Sequence, residues 1–518
     1  MYPINIGYLL KLNANRYPEK TALVYNGLHV SYNELNKRVN ALANSLINIG
    51  IRKGDRIAYL FHSGNQIAEL YYAIQKIGAV AVPLNHRLVG VEIKYLADSA
   101  ECKVFVYSDQ FEEQVKEIKH EFKTVKILIR SGGSAEGEYS LQELASNSNS
   151  DEPNVEILPD DLCRIQFTGG TTGRSKGVMR THFADFFQTV SITISGGLGG
   201  PDQVMLTQSP LCHQAGLSWM NVAIGAGNTF IICDIFNPVS ILEQIQTERA
   251  TAIMLLPPSI YYKIFELPNL KEYDLTSVKI VQSSAGGTSP EIICKMYETF
   301  PNCTAVRYGY GLTETGGLGT NYVISQELLQ NHPERAKTVG KEMPFVELKI
   351  VDENSKEVGV GEVGECIARG PSMMNGYYNQ PELTAGAIKD GWVYTGDMLK
   401  KDEDGYYYLM DRKKDMIKSG GENVFAQEVE GVIRNHPAVQ DCAVIGVPDQ
   451  KFGEAVMAVI KLKTAHDVTS EEIQEYCKTK LSSYKKPRYV EFVDSFPVDQ
   501  AGKIQKFKLR EKYKVLFN

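Results

Sequence analysis

The stretch FTGGTTGRSKGV, Phe167 to Val178, gathers the residue types that hold phosphate. Gly169, Gly170 and Gly173 let the backbone come close to a ligand, while Thr171, Thr172 and Lys176 can donate to phosphate oxygens. The chemistry this suggests is triphosphate binding. A glycine-rich surface turn is the plainer alternative, and it has to be set against a dense cluster of donors. A P-loop does not fit, because its lysine must be followed by Ser or Thr, whereas Lys176 is followed by Gly177.

Other short segments could do related work. GYGLTETGG, Gly309 to Gly317, places an aromatic face, a hydroxyl donor and a hard oxygen ligand close together. SSAGGTSP, Ser283 to Pro290, is a run of small residues, and YTGD ends on Asp397. DRKKDMIKSGGENV begins at Asp411, AGKIQKFKLR sets Lys503 after a glycine, and SPLCHQAGL contains His213. Taken singly, each has a structural reading: Tyr310 as core, Glu314 as solvated surface charge, Asp397 as a turn residue, His213 as a packing histidine. The basic cluster at 503–514 reads as a solvated helix face for every lysine except Lys503.

Together, and in this order along nearly the whole chain, these segments resemble the adenylate-forming superfamily of acyl-CoA synthetases, carrier-linked adenylation domains and luciferases. The family loop runs close to YTSGTTGxPKGV. Here Gly169 stands where serine is common and Ser175 where proline is usual, but the threonine pair and the lysine are kept.

The resemblance implies roles residue by residue. Thr168, Gly169, Gly170, Thr171, Thr172, Gly173 and Lys176 would surround the ATP phosphates, and Ala285, Gly286 and Gly287 would border adenine and the acyl site. Tyr310, followed by Gly311, would stack on adenine; Thr313 would touch the α-phosphate; Glu314, with Thr168, would hold Mg²⁺. Asp397 and Arg412 would take the ribose. Lys414 would sit at a hinge, Gly420 and Gly421 along a pantetheine tunnel, and His213 near the acyl carboxylate. Lys503 would reach into the active site, a task that suits a compact charge on a long flexible stem.

The implied activity is that of an AMP-forming acid–thiol ligase, joining an acid to CoA through an acyl-adenylate with ATP and Mg²⁺. A fatty acid is the first expectation. The alternatives are an aryl or cinnamoyl acid, or a free-standing adenylation enzyme that loads a carrier protein. A third reading, an inactive nucleotide sensor, has against it the joint presence of Lys176, Glu314, Asp397, Arg412 and Lys503.

Such positions need a scaffold, and the pattern supplies one. From Asn33 to about Lys126, helix-like NELNKRVNALANSLINIG and QIAELYYAIQKIG alternate with strand-like DRIAYLF and AVAVPL, which predicts helices on a largely parallel sheet. Residues 131–158 lack periodicity and read as an exposed connection. A second alternating block covers about 160–325. From 336 to 410, ELKIVD, GECIARG, WVYTGD and DGYYYLMDR predict short strands and tight turns. After about Arg412, CAVIGVP and AVMAVIKL read as strands, and Thr469 with Glu472 forms a capping box ahead of a helix.

The expected fold class is therefore α/β. A large N-terminal domain (1–411) of α/β subdomains plus a β-rich subdomain is followed by a small, mobile α+β C-terminal domain (412–518) hinged near Lys414. Trp219, Met220, Gly225 and Gly227 follow His213 and read as core more readily than as lining of an acyl pocket.

Bulk properties agree with small-molecule chemistry. A chain of 518 residues that is 43% hydrophobic can bury more than one core. A net charge of -7 argues against a dedicated nucleic-acid binder. The start carries no secretory signal pattern and no stretch is long and apolar enough to span a membrane. Nine scattered cysteines without a CxxC pair suggest a reduced, cytoplasmic setting. The oligomeric state stays open, a homodimer included.

Overall fold

The computed structural model describes residues 4–133, 135–146, 149–168, 175–233, 237–256, 258–284, 290–419, 422–449, 452–464, 467–498 and 503–514. The alternation predicted at the start is present: helix Tyr32–Asn48, strand Arg56–Leu60, helix Asn65–Lys76 and strand Val80–Leu84 follow in turn. Ser31 starts the first helix by accepting a hydrogen bond from the Glu34 amide. Every residue of Val80–Leu84 is buried, as expected for a parallel strand covered on both faces.

Two sheets organise the larger unit, which comprises the described residues up to 348 together with 368–394. One has seven strands in the order Tyr139–Ser140, Ile127–Arg130, Val104–Tyr107, Arg56–Leu60, Val80–Leu84, Leu162–Thr168, Lys176–Thr181, parallel until the last pair. The other has nine: Lys341–Glu342, Thr320–Ile324, Ala305–Tyr310, Ile280–Ser283, Ala252–Met254, Val204–Thr207, Thr229–Ile232, Thr21–Tyr25, Leu28–Ser31. Its six middle strands are parallel and its edges antiparallel.

A shared core joins the sheets. Ile57, Tyr59 and Ala81 come from one, Met205, Phe230 and Ala252 from the other, and Leu70, Ile74, Met220 and Ile224 from the helices Asn65–Lys76 and Gln214–Ala226. Trp219 and Met220 are buried in this cluster, which is the core reading of those residues. Gly227 ends the second helix in the left-handed region at φ 78°, where a side chain would also strike the Tyr17 ring.

The segment 131–158 is more ordered than its composition suggests. Ser45 Oγ donates to the Leu144 carbonyl at 2.7 Å, holding the short helix Leu141–Ala145 against Tyr32–Asn48. Glu152 reaches the buried Lys76 Nζ at 2.9 Å. These pieces are too short for a periodic signal; their order comes from the neighbours they pack on.

Residues 349–367 and the described residues from 395 onward form the second unit. Strands Val439–Asp449 and Gly453–Leu462 pair antiparallel, and Tyr489–Phe492 joins the latter in parallel. Helices Ala426–Arg434, Ser470–Lys478 and Lys506–Lys514 complete it. Thr469 and Glu472 form the predicted capping box, each side chain taking the other's backbone amide. The strands expected between 336 and 410 are Glu347–Val351, Val363–Arg369, Trp392–Lys401 and Tyr407–Arg412. The architecture is the expected α/β one, a large N-terminal part followed along the chain by a smaller α+β part.

Candidate active site

The two ends of the phosphate-loop sequence lie on a pair of antiparallel strands. Strands Leu162–Thr168 and Lys176–Thr181 pair in a register whose last two partners are Phe167 with Gly177 and Thr168 with Lys176. Thr168 and Lys176 thus face each other at the end of the strand pair from which the connecting segment departs. Gly169, Gly170, Thr171, Thr172 and Gly173 lie between them, outside the described residues. Ala285, Gly286, Gly287, Gly420 and Gly421 also lie outside the described residues.

Strand Ala305–Tyr310 delivers the second group. Tyr310 is buried at its end, and the chain then folds into a compact turn in which Gly316 N donates to the Thr313 carbonyl at 3.0 Å and Leu312 N to Thr315 Oγ1 at 3.0 Å. Gly311 is required there, since a Cβ would stand 2.3 Å from the Gly317 carbonyl carbon. Thr313 and Glu314 are half-buried on this turn.

A residue that the sequence reading passed over connects the two groups. Segment 374–378 is stitched to both: Met374 N donates to the Glu314 carbonyl at 2.9 Å, Asn375 N to the Met179 carbonyl at 3.1 Å and Tyr378 N to the Gly177 carbonyl at 2.8 Å. From it, the Tyr377 hydroxyl donates to Glu314 Oε1 at 3.0 Å, and the Lys176 ammonium lies 5.0 Å from the centre of the same ring. Among the described residues, neither Lys176 nor Glu314 has an ion-pair partner. In the sequence Tyr377 is one tyrosine in a turn-rich stretch, and no spacing marks it.

Behind the hairpin lies a buried charge triad. Asp185 accepts from Arg164 Nε at 2.7 Å and Nη2 at 2.9 Å, and from Arg180 Nε at 2.9 Å; all three side chains are fully buried. Burial would raise the Asp185 carboxyl, but the two guanidiniums hold it well below the usual carboxylate range. Arg180 also donates to the Ser372 carbonyl, and Gln188 Nε2 to that of Gly316. The triad thus ties the strand pair to Ser372, and Gln188, one turn along the helix from Asp185, ties that helix to the turn that carries Glu314.

His213 stands at the start of helix Gln214–Ala226, its Nε2 paired at 3.0 Å with Asn85 Nδ2. His86 and His62 stack nearby with ring centres 4.5 Å apart. Burial, with His62, Arg87 and His213 alongside, pulls His86 down to about 4. Only His213 carried a sequence signal; its neighbours come from the ends of two other strands, Arg56–Leu60 and Val80–Leu84.

In the smaller unit, Asp397 and Arg412 are cross-strand partners, with Arg412 Nε 2.7 Å from Asp397 Oδ1. Asp397 is buried, and Thr395 Oγ1 accepts its amide at 3.1 Å while donating to the Cys366 carbonyl at 2.7 Å. Lys414 is partly buried, and burial lowers its pKa against the pull of Asp415. Lys503 is exposed beside the bridge that pairs Val498 with Ile504.

The geometry thus brings Thr168, Lys176, Tyr310, Thr313 and Glu314 onto two linked elements of one unit, and Asp397 and Arg412 onto one strand pair of the other. A family model for AMP-binding enzymes matches residues 10–378, and one for the AMP-binding enzyme C-terminal domain matches residues 428–503. A long-chain-fatty-acid–CoA ligase of Mycobacterium tuberculosis is 33% identical over 514 residues, covering 98% of both chains. A feruloyl-CoA synthase of an Amycolatopsis species is 32% identical, covering 96% of this chain and 97% of its own. The solved structure of ATP-bound MatB from Rhodopseudomonas palustris superposes with a TM-score of 0.87 at 29% identity, covering 99% of this chain and 100% of that one.

The chain belongs to the AMP-binding enzyme family, and within it to the adenylate-forming acyl-CoA synthetases. Among the described residues, no helix is long and apolar enough to cross a membrane.

Proposed function

We propose that the enzyme joins a fatty acid to CoA through an acyl-adenylate, with the residues of the hairpin and the Glu314 turn binding ATP. The observation that carries this is the convergence on Tyr377 of Lys176, from the hairpin, and Glu314, from the turn, in a chain that matches its relatives end to end. A carboxylate is a poor acyl electrophile, since its leaving group would be oxide, so activation must precede thiol attack.

In the first step a carboxylate oxygen attacks the α-phosphorus in line and pyrophosphate leaves toward Lys176 and the donors of the loop. Tyr310 stacks on adenine, Thr313 donates to the α-phosphate, and Asp397 with Arg412 holds the ribose hydroxyls. Lys503 neutralises charge developing between acid and nucleotide. No protein nucleophile or general base is needed, because positioning and electrostatics can carry this transfer.

Glu314 and Thr168 fit a magnesium ion. Glu314 has given one oxygen to Tyr377 and has no ion-pair partner among the described residues, and Mg²⁺ takes one or two carboxylates, phosphates and water. When bound, it supplies charge neutralisation at the phosphates.

In the second step the CoA thiol attacks the acyl carbonyl and AMP leaves. Residues 1–411 and 412–518 act as the two domains, with the smaller turning about Lys414 between the steps, and the cytoplasm is the setting. His213, oriented by Asn85, borders the acyl carboxylate. The fatty-acid assignment draws on the mycobacterial relative; the feruloyl-CoA synthase match makes an aryl acid the second reading.

The test is acid-dependent exchange of pyrophosphate into ATP across a panel of fatty and aryl acids, followed by detection of acyl-CoA with CoA as sole acceptor. Exchange without thioester would point to a carrier protein as acceptor, and no exchange with any acid would refute the proposal.

A further inference from the structure

Lys176 and Glu314 carry opposite charges and sit on the two elements that segment 374–378 joins. In a partly dehydrated cleft such groups attract strongly, and a direct ion pair would have to be broken whenever a nucleotide arrived. They form none, and the side chain between them is Tyr377.

We propose that Tyr377 is a positioning residue that holds Lys176 and Glu314 apart, so that the ammonium stays available to phosphate oxygens and the carboxylate to magnesium. This rests on the reading of the site as an ATP site. The two contacts use different parts of the side chain: the ring face takes the cation, and the hydroxyl takes the carboxylate. Tyr377 is 6% exposed.

Its placement is fixed from the backbone. Tyr377 pairs with Val178 in a β-bridge, and its amide donates to Thr384 Oγ1 at 2.9 Å. Gly376 precedes it in the left-handed region at φ 117°, where a Cβ would lie 2.5 Å from Thr384 Cγ2. The segment that carries the tyrosine is thus hydrogen-bonded to both elements whose charges the tyrosine separates.

The test uses the full chain and a non-reactive ATP analogue with a methylene bridge between the α- and β-phosphorus, measured by calorimetry over a range of Mg²⁺. Wild-type binding that strengthens with Mg²⁺ checks the underlying site; its absence would refute that reading and this one with it. Given such binding, Tyr377→Phe keeps the ring and loses the hydroxyl. The Mg²⁺ concentration for half-maximal binding should rise roughly tenfold, while metal-free pyrophosphate affinity is unchanged.

Tyr377→Leu removes the spacer, so pyrophosphate affinity should fall and should be regained when Glu314→Gln is added. An unshifted Mg²⁺ requirement in Tyr377→Phe, or a loss in Tyr377→Leu that Glu314→Gln does not relieve, overturns the proposal. If the leucine variant does not fold, the phenylalanine variant decides.

Discussion

Arg412 Nε lies 2.7 Å from Asp397 Oδ1 across a directly facing pair of strand residues, and the carboxylate is only 2% exposed. The pairing orients the Asp397 carboxylate, which suits an acceptor for two ribose hydroxyls. Asp397→Ala should therefore weaken ATP rather than the acid. Hydrogen bonds to a charged acceptor contribute about 1.5–3 kcal/mol, so KM for ATP should rise on the order of ten- to a hundredfold. Steady-state kinetics with each substrate varied separately would show it, and a change in acid KM alone would refute the assignment.

Lys176 faces Thr168 at the loop end of the strand pair, and the role proposed for its ammonium is at the phosphates that leave. Lys176→Met should slow adenylate formation roughly 10²–10³-fold, as loss of one preorganised charge at a transition state typically does. Thioester formation from chemically prepared acyl-adenylate should be spared, because pyrophosphate has gone by then. Single-turnover assays of each half-reaction give the comparison.

The parts of this fold legible in the sequence are those where local pattern and burial agree. Alternating runs marked Tyr32–Asn48 and Val80–Leu84, and Thr469 with Glu472 marked the start of Ser470–Lys478. The run from Phe167 to Val178 is legible as a phosphate-binding sequence, but the antiparallel pairing that sets Thr168 opposite Lys176 is not. Tyr377 left no such trace, since its partner Glu314 is 63 residues away and a lone tyrosine reads as core. Arg164 and Arg180 left no trace either: a charged residue in a strand ordinarily marks an exposed face, yet both are fully buried because Asp185, on the following helix, neutralises part of their charge.

Lys503 is exposed and directly precedes Ile504, which bridges to Val498. Lys503→Ala should abolish most acid-dependent pyrophosphate exchange and leave thiol attack on preformed adenylate near its original rate. Gly421→Leu should do the reverse, since a side chain at that position would narrow the passage assigned to pantetheine. Equal loss of both half-reactions in both variants would contradict a hinge at Lys414 that alternates between the steps.

Asp185 is the sole carboxylate of its triad and accepts from two fully buried guanidiniums, so removing its charge leaves both cations inside without their partner. Asp185→Asn should destabilise the larger unit by about 3–5 kcal/mol, read from denaturant unfolding at neutral pH. The sign of the pH dependence follows from the depressed carboxyl. Its stabilisation is fully present above the unfolded aspartate value, about 3.9, and is lost as pH falls below it toward the folded value. The gap between wild type and variant should stay constant from about pH 5 to 8 and shrink only in more acidic solution. A gap that instead grew on acidification would mean that Asp185 is protonated in the native protein, and that Arg164 and Arg180 are neutralised by something else.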